Sequence, residues 1–262
     1  MPETPAIALE GIGVSYDGGR TFAAEGVDLA VPSGAFVAVV GGSGSGKTTT
    51  LKTINRLVEP TTGTVRIEGD DVRAGPPAEL RWRIGYVFQG IGLFPHMTVG
   101  ENVAITPRLM GWERVRIEAR TAELLDLVGL PREFAARAPS SLSGGQQQRV
   151  GVARALAAGP KIMLMDEPFG ALDPVTRDGL GRAYRKLHDS LGLTTVMVTH
   201  DVLEAVILAD RIGVMDRGRI LADGAPAELM TNHADPVVAA LMETPRRQAD
   251  AVRKALEGHR HG

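Results

Sequence analysis

The sequence predicts an α/β fold with a parallel core sheet, an antiparallel β portion at its start and a helical block in its middle. Three observations carry this expectation. The apolar run Ala35-Phe36-Val37-Ala38-Val39-Val40 leads directly into Gly41-Gly42-Ser43-Gly44-Ser45-Gly46-Lys47-Thr48, the strand, glycine-rich loop and helix order of a phosphate-binding loop. From residue 84 onward, short apolar runs alternate with helical periods, the pattern of a parallel sheet with crossover helices. Ahead of the loop, two β-prone runs flank Asp17-Gly18-Gly19-Arg20, a hairpin turn.

Taken in order, Ala6 to Tyr16 and Thr21 to Val31 are the opening antiparallel strands, and Thr49 to Leu57 is the helix that follows the glycine-rich loop. Glu59-Pro60-Thr61-Thr62-Gly63 ends that helix, and Thr64-Val65-Arg66-Ile67 is a short strand. Ile84 to Phe88 predicts a buried strand leading to Gln89 and the irregular stretch Gly90 to Thr98. Helical periods then cover Val99 to Met110 and Val115 to Val128. Ser140 to Gly145 is a loop and N-cap for a helix running to Ala158. Ile162 to Met165 is a strand ending in Asp166-Glu167-Pro168, Pro174 to Leu191 a long helix, and Thr194 to Thr199 a strand ending at His200. Arg211 to Met215 and Arg219 to Ala222 form a closing hairpin around Asp216-Arg217-Gly218. The tail from Pro236 places Val237, Val238, Leu241 and Met242 on one helical face.

The 262 residues suffice for a sizeable core. Lys and Arg number 29 against 31 Asp and Glu, a net charge of −2, so the total lends no support to nucleic acid or an anionic membrane surface as the main partner. The absence of cysteine excludes disulfides and thiolate metal sites. Met1-Pro2-Glu3-Thr4-Pro5 lacks a basic region followed by an apolar segment, and no run approaches 18 apolar residues, so the chain is not expected to cross a bilayer itself.

The chemistry begins at the loop. Glycines let successive backbone N–H groups turn inward, and with the following helix N-terminus they favour a bound anion. Lys47 is placed to reach β- and γ-phosphates, and Thr48 to set its hydroxyl on Mg²⁺. Asp166 and Glu167 stand at the end of a buried strand, where a parallel sheet presents ligand-binding groups. There Asp166 suits the metal and Glu167 the attacking water; the pair also suits a helix N-cap before Pro168. Taken singly, His200 reads equally as a structural hydrogen-bonder, Gln89 as a solvated loop residue and Tyr16 as an edge-strand aromatic. Leu93, Phe94 and Met97 are apolar residues in a stretch expected near the surface, the mark of a docking patch.

Together these residues resemble the ATP-binding subunits of ABC transporters, over about Ala6 to Met230. The deciding element is Leu142-Ser143-Gly144-Gly145-Gln146-Gln147-Gln148-Arg149, which is similar to the signature segment of that family and is not found in other phosphate-loop NTPases. The resemblance implies a P-loop NTPase of the ABC ATPase type, with a RecA-like mixed or parallel core, an N-terminal antiparallel β subdomain and an α-helical signature subdomain at about 90–158. The ATPase domain then covers 1–234 and a helical tail 235–262.

It implies ATP and Mg²⁺ as cofactors, with Gly41, Gly42, Ser43, Gly44, Ser45, Gly46, Lys47, Thr48 and Thr49 around the phosphates and Tyr16 stacking on adenine. Gln89 becomes a γ-phosphate sensor contacting Mg²⁺ beside Thr48 and Asp166, Glu167 the general base and His200 the switch histidine on the γ-phosphate. Asp173, in Gly170-Ala171-Leu172-Asp173, belongs to the D-loop. Ser143, Gly144, Gly145 and Gln146 form a second anion-binding helix start in a chain whose phosphate cradle is already complete, so they are expected to serve the ATP of a second, head-to-tail ATPase subunit.

The implied further partners are integral membrane permease subunits, docked at Gly90 to Thr98, and indirectly an extracytoplasmic solute-binding protein; nucleic acid is not among them. The implied location is the cytoplasmic face of the membrane, by way of the permease. Lys47-Thr48-Thr49-Thr50-Leu51-Lys52, Ile84 to Gln89 and Met165 to Pro174 are similar to the importer branch for glycine betaine, choline, carnitine and proline. Phe88 and Gly90 depart from it, where an aliphatic residue and glutamine are usual. The paired regulatory domains that many relatives carry after the ATPase are not expected within these 262 residues, nor is ionic-strength sensing through them. Another small polar solute, or an ABC-type ATP switch without transport, are the competing readings; the intact Lys47, Glu167 and His200 argue against a catalytically silent module.

Overall fold

The computed structural model describes residues 4–90, 92–231 and 234–258. An antiparallel sheet at the start contains β1 (Ile7–Val14), β2 (Ala24–Val31), β4 (Thr62–Ile67) and the short β5 (Asp70–Asp71), in the order β2-β1-β4-β5. The core sheet contains β3 (Phe36–Val40), β6 (Ile84–Val87), β7 (Ile162–Asp166), β8 (Thr194–Thr199), β9 (Arg211–Asp216) and β10 (Arg219–Gly224), in the order β10-β9-β3-β8-β7-β6. It is parallel from β9 to β6, and β10 closes it antiparallel. The expected α/β class with an antiparallel start is therefore what the chain adopts.

Near-continuous apolar strands follow from burial on both faces. Successive side chains point to opposite sides, and the strand residues divide accordingly. Phe36, Ala38, Val40, Met163, Met165 and Met197 enter one core cluster, whereas Val37, Val39, Leu164, Val196 and Val198 enter the other. The second cluster is shared with β1, β2, β4 and α1 (Lys47–Ile54). The first is covered by the helices α3 (Val99–Leu109), α4 (Arg114–Leu127), α5 (Gly144–Leu156), α6 (Pro174–Leu191) and α7 (Val202–Leu208).

Several boundaries differ from expectation. α1 stops at Ile54 because Arg56 takes a left-handed conformation at φ 55° and the Asn55 side chain accepts from the Leu57 amide, so the chain turns three residues early. The strand expected to reach Phe88 ends at Val87, and Phe88 is exposed. Three short helices were not expected: α2 (Pro77–Trp82), α7 and α8 (Pro226–Leu229). α7 carries a readable signal: Asp201 caps it by accepting from the Glu204 amide, the Asx-x-x-Glu spacing of a helix start. In the tail helix α9 (Pro236–Gly258), Val238 and Met242 are buried one turn apart, but Val237 faces outward, about 100° off that stripe. Ile91, inside the expected docking stretch, lies outside the described residues, as do Met1, Pro2 and Glu3.

Register decides the site. Val40 pairs with Thr199, and Asp166 with Val198. Gly41, Glu167 and His200 therefore leave the sheet at one edge, outside the carboxyl ends of the parallel strands, where α/β sheets place ligands.

Candidate functional site

The glycine-rich loop is set by close backbone approaches. A Cβ on Gly41 would collide with the Met215 carbonyl oxygen, and one on Gly46, at φ 103°, with that of Ala23. Lys47 is buried, and its Nζ donates to the carbonyls of Gly41 at 2.9 Å and Gly42 at 2.8 Å and approaches Ser45 Oγ at 3.4 Å. Burial holds its ammonium below the usual lysine range, against the pull of the Glu167 and Asp166 carboxylates. Exchanging loop carbonyls for a polyphosphate would satisfy the same charge. Ser43, Gly42 and Gly44 complete an open rim with no side chain over it; a Cβ on Gly42 or Gly44 meets nothing within 4 Å.

Thr48 Oγ1 donates to Asp166 Oδ1 at 2.8 Å across 118 positions of sequence. A hydroxyl and a carboxylate meeting beside a phosphate cradle are the oxygen donors Mg²⁺ takes while keeping water and phosphate as its other ligands. Among the described residues no group of three or more His, Cys, Asp or Glu forms a self-sufficient metal cage. The donor set thus fits a cation that arrives with its nucleotide. Tyr86, not foreseen from sequence, donates to Asp166 Oδ2 at 3.3 Å. Burial, and then the Asp166 charge, push its phenol well above the ordinary tyrosine range, so it stays a donor.

Glu167 is the meeting point. Gln89 Nε2 donates to Glu167 Oε2 at 3.2 Å, and His200 Nδ1 lies 3.2 Å from the same oxygen. Gln89 thus sits on Glu167 and makes no hydrogen bond to Thr48 or Asp166 among the described residues. No helix begins at Asp166-Glu167, which removes the N-cap alternative: Asp166 ends β7, and the Glu167 amide donates to the Val198 carbonyl at 2.9 Å. Tyr16 is 70% exposed, and its hydroxyl stands 3.4 Å from Thr49 Oγ1 over the start of α1. The loop displaying it is tied by the Asp17 carboxylate, which accepts from the amides of Arg20 and Thr21 and from the Thr21 hydroxyl.

Ser143 and Gln146 close the N-terminus of α5 as a capping box, the Ser143 amide donating to Gln146 Oε1 at 3.0 Å and the Gln146 amide to Ser143 Oγ at 3.4 Å. Gly144 is exposed at that start. A Cβ on Gly145 would stand 2.6 Å from Thr176 Cγ2, and the Thr176 amide donates to Asp173, the cap of α6. These amide and hydroxyl bonds from Thr176 hold the Asp173 carboxyl below the usual range. Ser143 to Gln146 and Asp173 are therefore neighbours, joined through Thr176. α5 packs on α3, α4, α6 and β6, whereas α1 packs on β1, β2, β4, β7 and β8. The two helix N-termini stand on different parts of the chain.

Beside Gln89 opens a cavity of about 550 Å³, lined among others by Leu57, Trp82, Phe88, Phe94, Ile105 and Arg154. Phe94 is 44% exposed, but Leu93 and Met97 are half-buried, and Leu93 packs on the core, so the expected patch shrinks to Phe94. The buried Asn102, missed in sequence, anchors it: Asn102 Oδ1 accepts from the Phe94 amide at 2.8 Å and Nδ2 donates to the Phe94 carbonyl at 3.1 Å.

Past His200, Glu204 is buried, and burial pushes its carboxyl up to about 7 despite a hydrogen bond from Thr199. The folded chain thus holds a proton that the unfolded chain, at 4.5, releases. Stability falls as pH rises from about 4.5 to 7, and the full cost is present above that. Glu204→Gln is expected to stabilise the protein at pH 8 by up to about 3 kcal/mol, a shift of about 2.5 pH units at 1.36 kcal/mol each. It should add little at pH 4. Urea unfolding at both pH values checks this; equal gains at both would refute a buried, raised carboxyl.

A family model described as ABC transporter matches residues 24–170. The chain is 49% identical over 232 residues to the choline transport ATP-binding protein OpuBA of Bacillus subtilis, covering 88% of this chain and 61% of that protein. It is 51% identical over 212 residues to the glycine betaine uptake system ATP-binding protein YehX of Escherichia coli, covering 81% of this chain and 69% of that protein. Among solved structures, the dimeric post-hydrolysis ATP-binding cassette MJ0796 bound to ADP and Pi superposes with a TM-score of 0.74 at 36% identity, over 84% of this chain and 98% of that one. The chain spans about three fifths of the length of curated relatives such as OpuBA. With a phosphate loop, a signature helix and paired acids on one ABC-type fold, the chain belongs to the ATP-binding proteins of the ABC transporter family.

Proposed function

We propose that the protein binds and hydrolyses ATP to power an importer of quaternary-amine osmoprotectants of the glycine betaine, choline and proline type. The observation that carries the ATPase reading is the convergence of Lys47, Thr48, Asp166, Glu167, Gln89 and His200 on one edge of the core sheet. The solute class rests on relatives that name choline and glycine betaine.

In this reading the inward N–H groups of Gly41 to Thr48 and the Lys47 ammonium hold the phosphates, and Tyr16 stacks on adenine. Thr48 and Asp166 would hold Mg²⁺, which when bound neutralises charge developing on the phosphate oxygens. Glu167 accepts a hydrogen bond from the attacking water and orients it in line with the γ-phosphate; Gln89 and His200 fix the carboxylate by sharing its Oε2. Ser143, Gly144 and Gly145, with Asp173 alongside, present a helix N-terminus to the ATP of a second, head-to-tail copy. ATP then favours the closed pair, and hydrolysis releases it. Phe94 and the adjoining cavity receive a cytoplasmic segment of the permease.

The test is reconstitution of the chain with its permease and solute-binding protein, followed by ATPase assays over a panel of solutes. Glycine betaine, choline or proline should stimulate hydrolysis; stimulation by sulfate or another polar solute instead would overturn the solute class. In the same system Phe94→Ala is expected to lower permease-stimulated ATPase several-fold, as for an interface anchor worth about 1–2 kcal/mol, with ATP affinity unchanged. Unchanged transport and ATPase activity would remove Phe94 from the interface.

A further inference from the structure

One guanidinium outside the groups above joins the two loops on which Glu167 and His200 stand. Arg177, on the first turn of α6, donates through Nη2 to the carbonyls of Gly170 at 3.3 Å and Leu172 at 3.1 Å, and through Nη1 to Asp201 Oδ2 at 2.9 Å. Gly170 adjoins the chemistry directly: a Cβ there would stand 3.7 Å from Glu167 Oε2 and 3.8 Å from His200 Cε1. Asp201 follows His200, its other carboxylate oxygen caps α7 through the Glu204 amide, and its own amide donates to Thr199 Oγ1 at 3.0 Å. The His200 peptide is thereby fixed from both sides.

The Glu167 turn needs such a hold. Glu167 lies at φ 44°, a left-handed conformation that strains a residue bearing a Cβ and persists where surrounding structure over-determines it. The turn is spanned by a long backbone bond from the Gly170 amide to the Glu167 carbonyl, 3.3 Å. Arg177 grips that turn at its far side, at the carbonyls of Gly170 and Leu172. Three acceptors in two directions suit a planar fork; an ammonium offers a point charge.

We propose that Arg177 is a positioning residue for ATP hydrolysis, clamping the Glu167–Leu172 turn to the His200–Asp201 junction so that carboxylate and imidazole face one point. It rests on the ATPase reading above, deepens it, and predicts a defect in turnover with nucleotide binding spared. Arg177 touches neither Glu167 nor His200 and acts through the backbone of the turn and through Asp201.

The test compares full chains of wild type, Arg177→Gln, Arg177→Lys, Asp201→Asn and the Arg177→Gln/Asp201→Asn double variant in ATP hydrolysis, ATP binding and thermal unfolding. Arg177→Gln is expected to lower kcat on the order of 10- to 100-fold, the effect of misplacing a reacting group by about 1 Å, with KM and Kd for ATP within about twofold. Arg177→Lys should recover part of the loss. The double variant should be no slower than Arg177→Gln by itself, since both changes break one bridge. Wild-type kcat in Arg177→Gln would overturn the proposal, and so would parallel loss of kcat, ATP affinity and melting temperature in both Arg177 variants, which marks a merely structural role. A wild-type chain that binds ATP without hydrolysing it would sink the ATPase reading itself, and the positioning role with it.

Discussion

Glu167→Gln is expected to cut ATP turnover by about 10²- to 10⁴-fold while leaving ATP affinity within a few-fold of wild type, as for loss of a general base. The substitution is isosteric, and glutamine tolerates φ 44° no worse than glutamate. Its amide can still meet Gln89 and His200, which both approach Oε2 at 3.2 Å, so the local structure has no reason to collapse. What disappears is the negative charge that polarises water. With hydrolysis blocked and binding intact, ATP-loaded pairs of chains should accumulate, visible as a shift to dimer by size-exclusion chromatography with ATP and Mg²⁺. Turnover equal to wild type would remove Glu167 from the role. Loss of ATP binding would indicate that its charge serves the nucleotide, or Lys47, instead.

Lys47→Ala is expected to weaken ATP binding about 10- to 150-fold, the equivalent of about 1.5–3 kcal/mol for a charge-assisted hydrogen bond. Its effect on the nucleotide-free protein should be small, because two terms oppose each other. The ammonium loses hydrogen bonds to Gly41, Gly42 and Ser45, but a buried charge that desolvation disfavours is also removed. Calorimetric titration with ATP against thermal unfolding without it separates the two quantities. An affinity within twofold of wild type would show that the loop amides hold the phosphates unaided. A large drop in melting temperature without nucleotide would make the lysine a structural strut first.

The two variants probe features with different visibility in sequence. The loop around Lys47 was legible because its constraints are local: glycines where backbone passes backbone, then Lys and Thr at the helix start. The Ser143 and Gln146 capping box is equally local. The strands were legible because burial on both faces of β3, β7 and β8 leaves uninterrupted apolar runs. Helix α1 was overextended because the left-handed turn at Arg56 has no glycine to announce it. α7 was missed although Asp201 and Glu204 mark its cap, the seven-residue helix being too short for a periodic pattern to register. Leu93 and Met97 are half-buried, which the sequence does not show, because an irregular stretch gives no period from which to tell an inward from an outward side chain. Asn102, Tyr86 and Arg177 carry no motif at all.

By itself the sequence determined the conformations set within a few residues: which segments are strands, where the phosphate loop turns, where α5 is capped, and, through its signature segment, the family. Only the tertiary structure decided which of these meet. Thr48 and Asp166 touch, Gln89 and His200 close on one oxygen of Glu167, and Arg177 bridges two loops because β3, β8 and β7 lie side by side in parallel register. Chirality, capping and burial act along neighbouring residues and leave a periodic trace. The order and register of strands arise from packing the whole sheet between two cores, and any one segment carries little of that information.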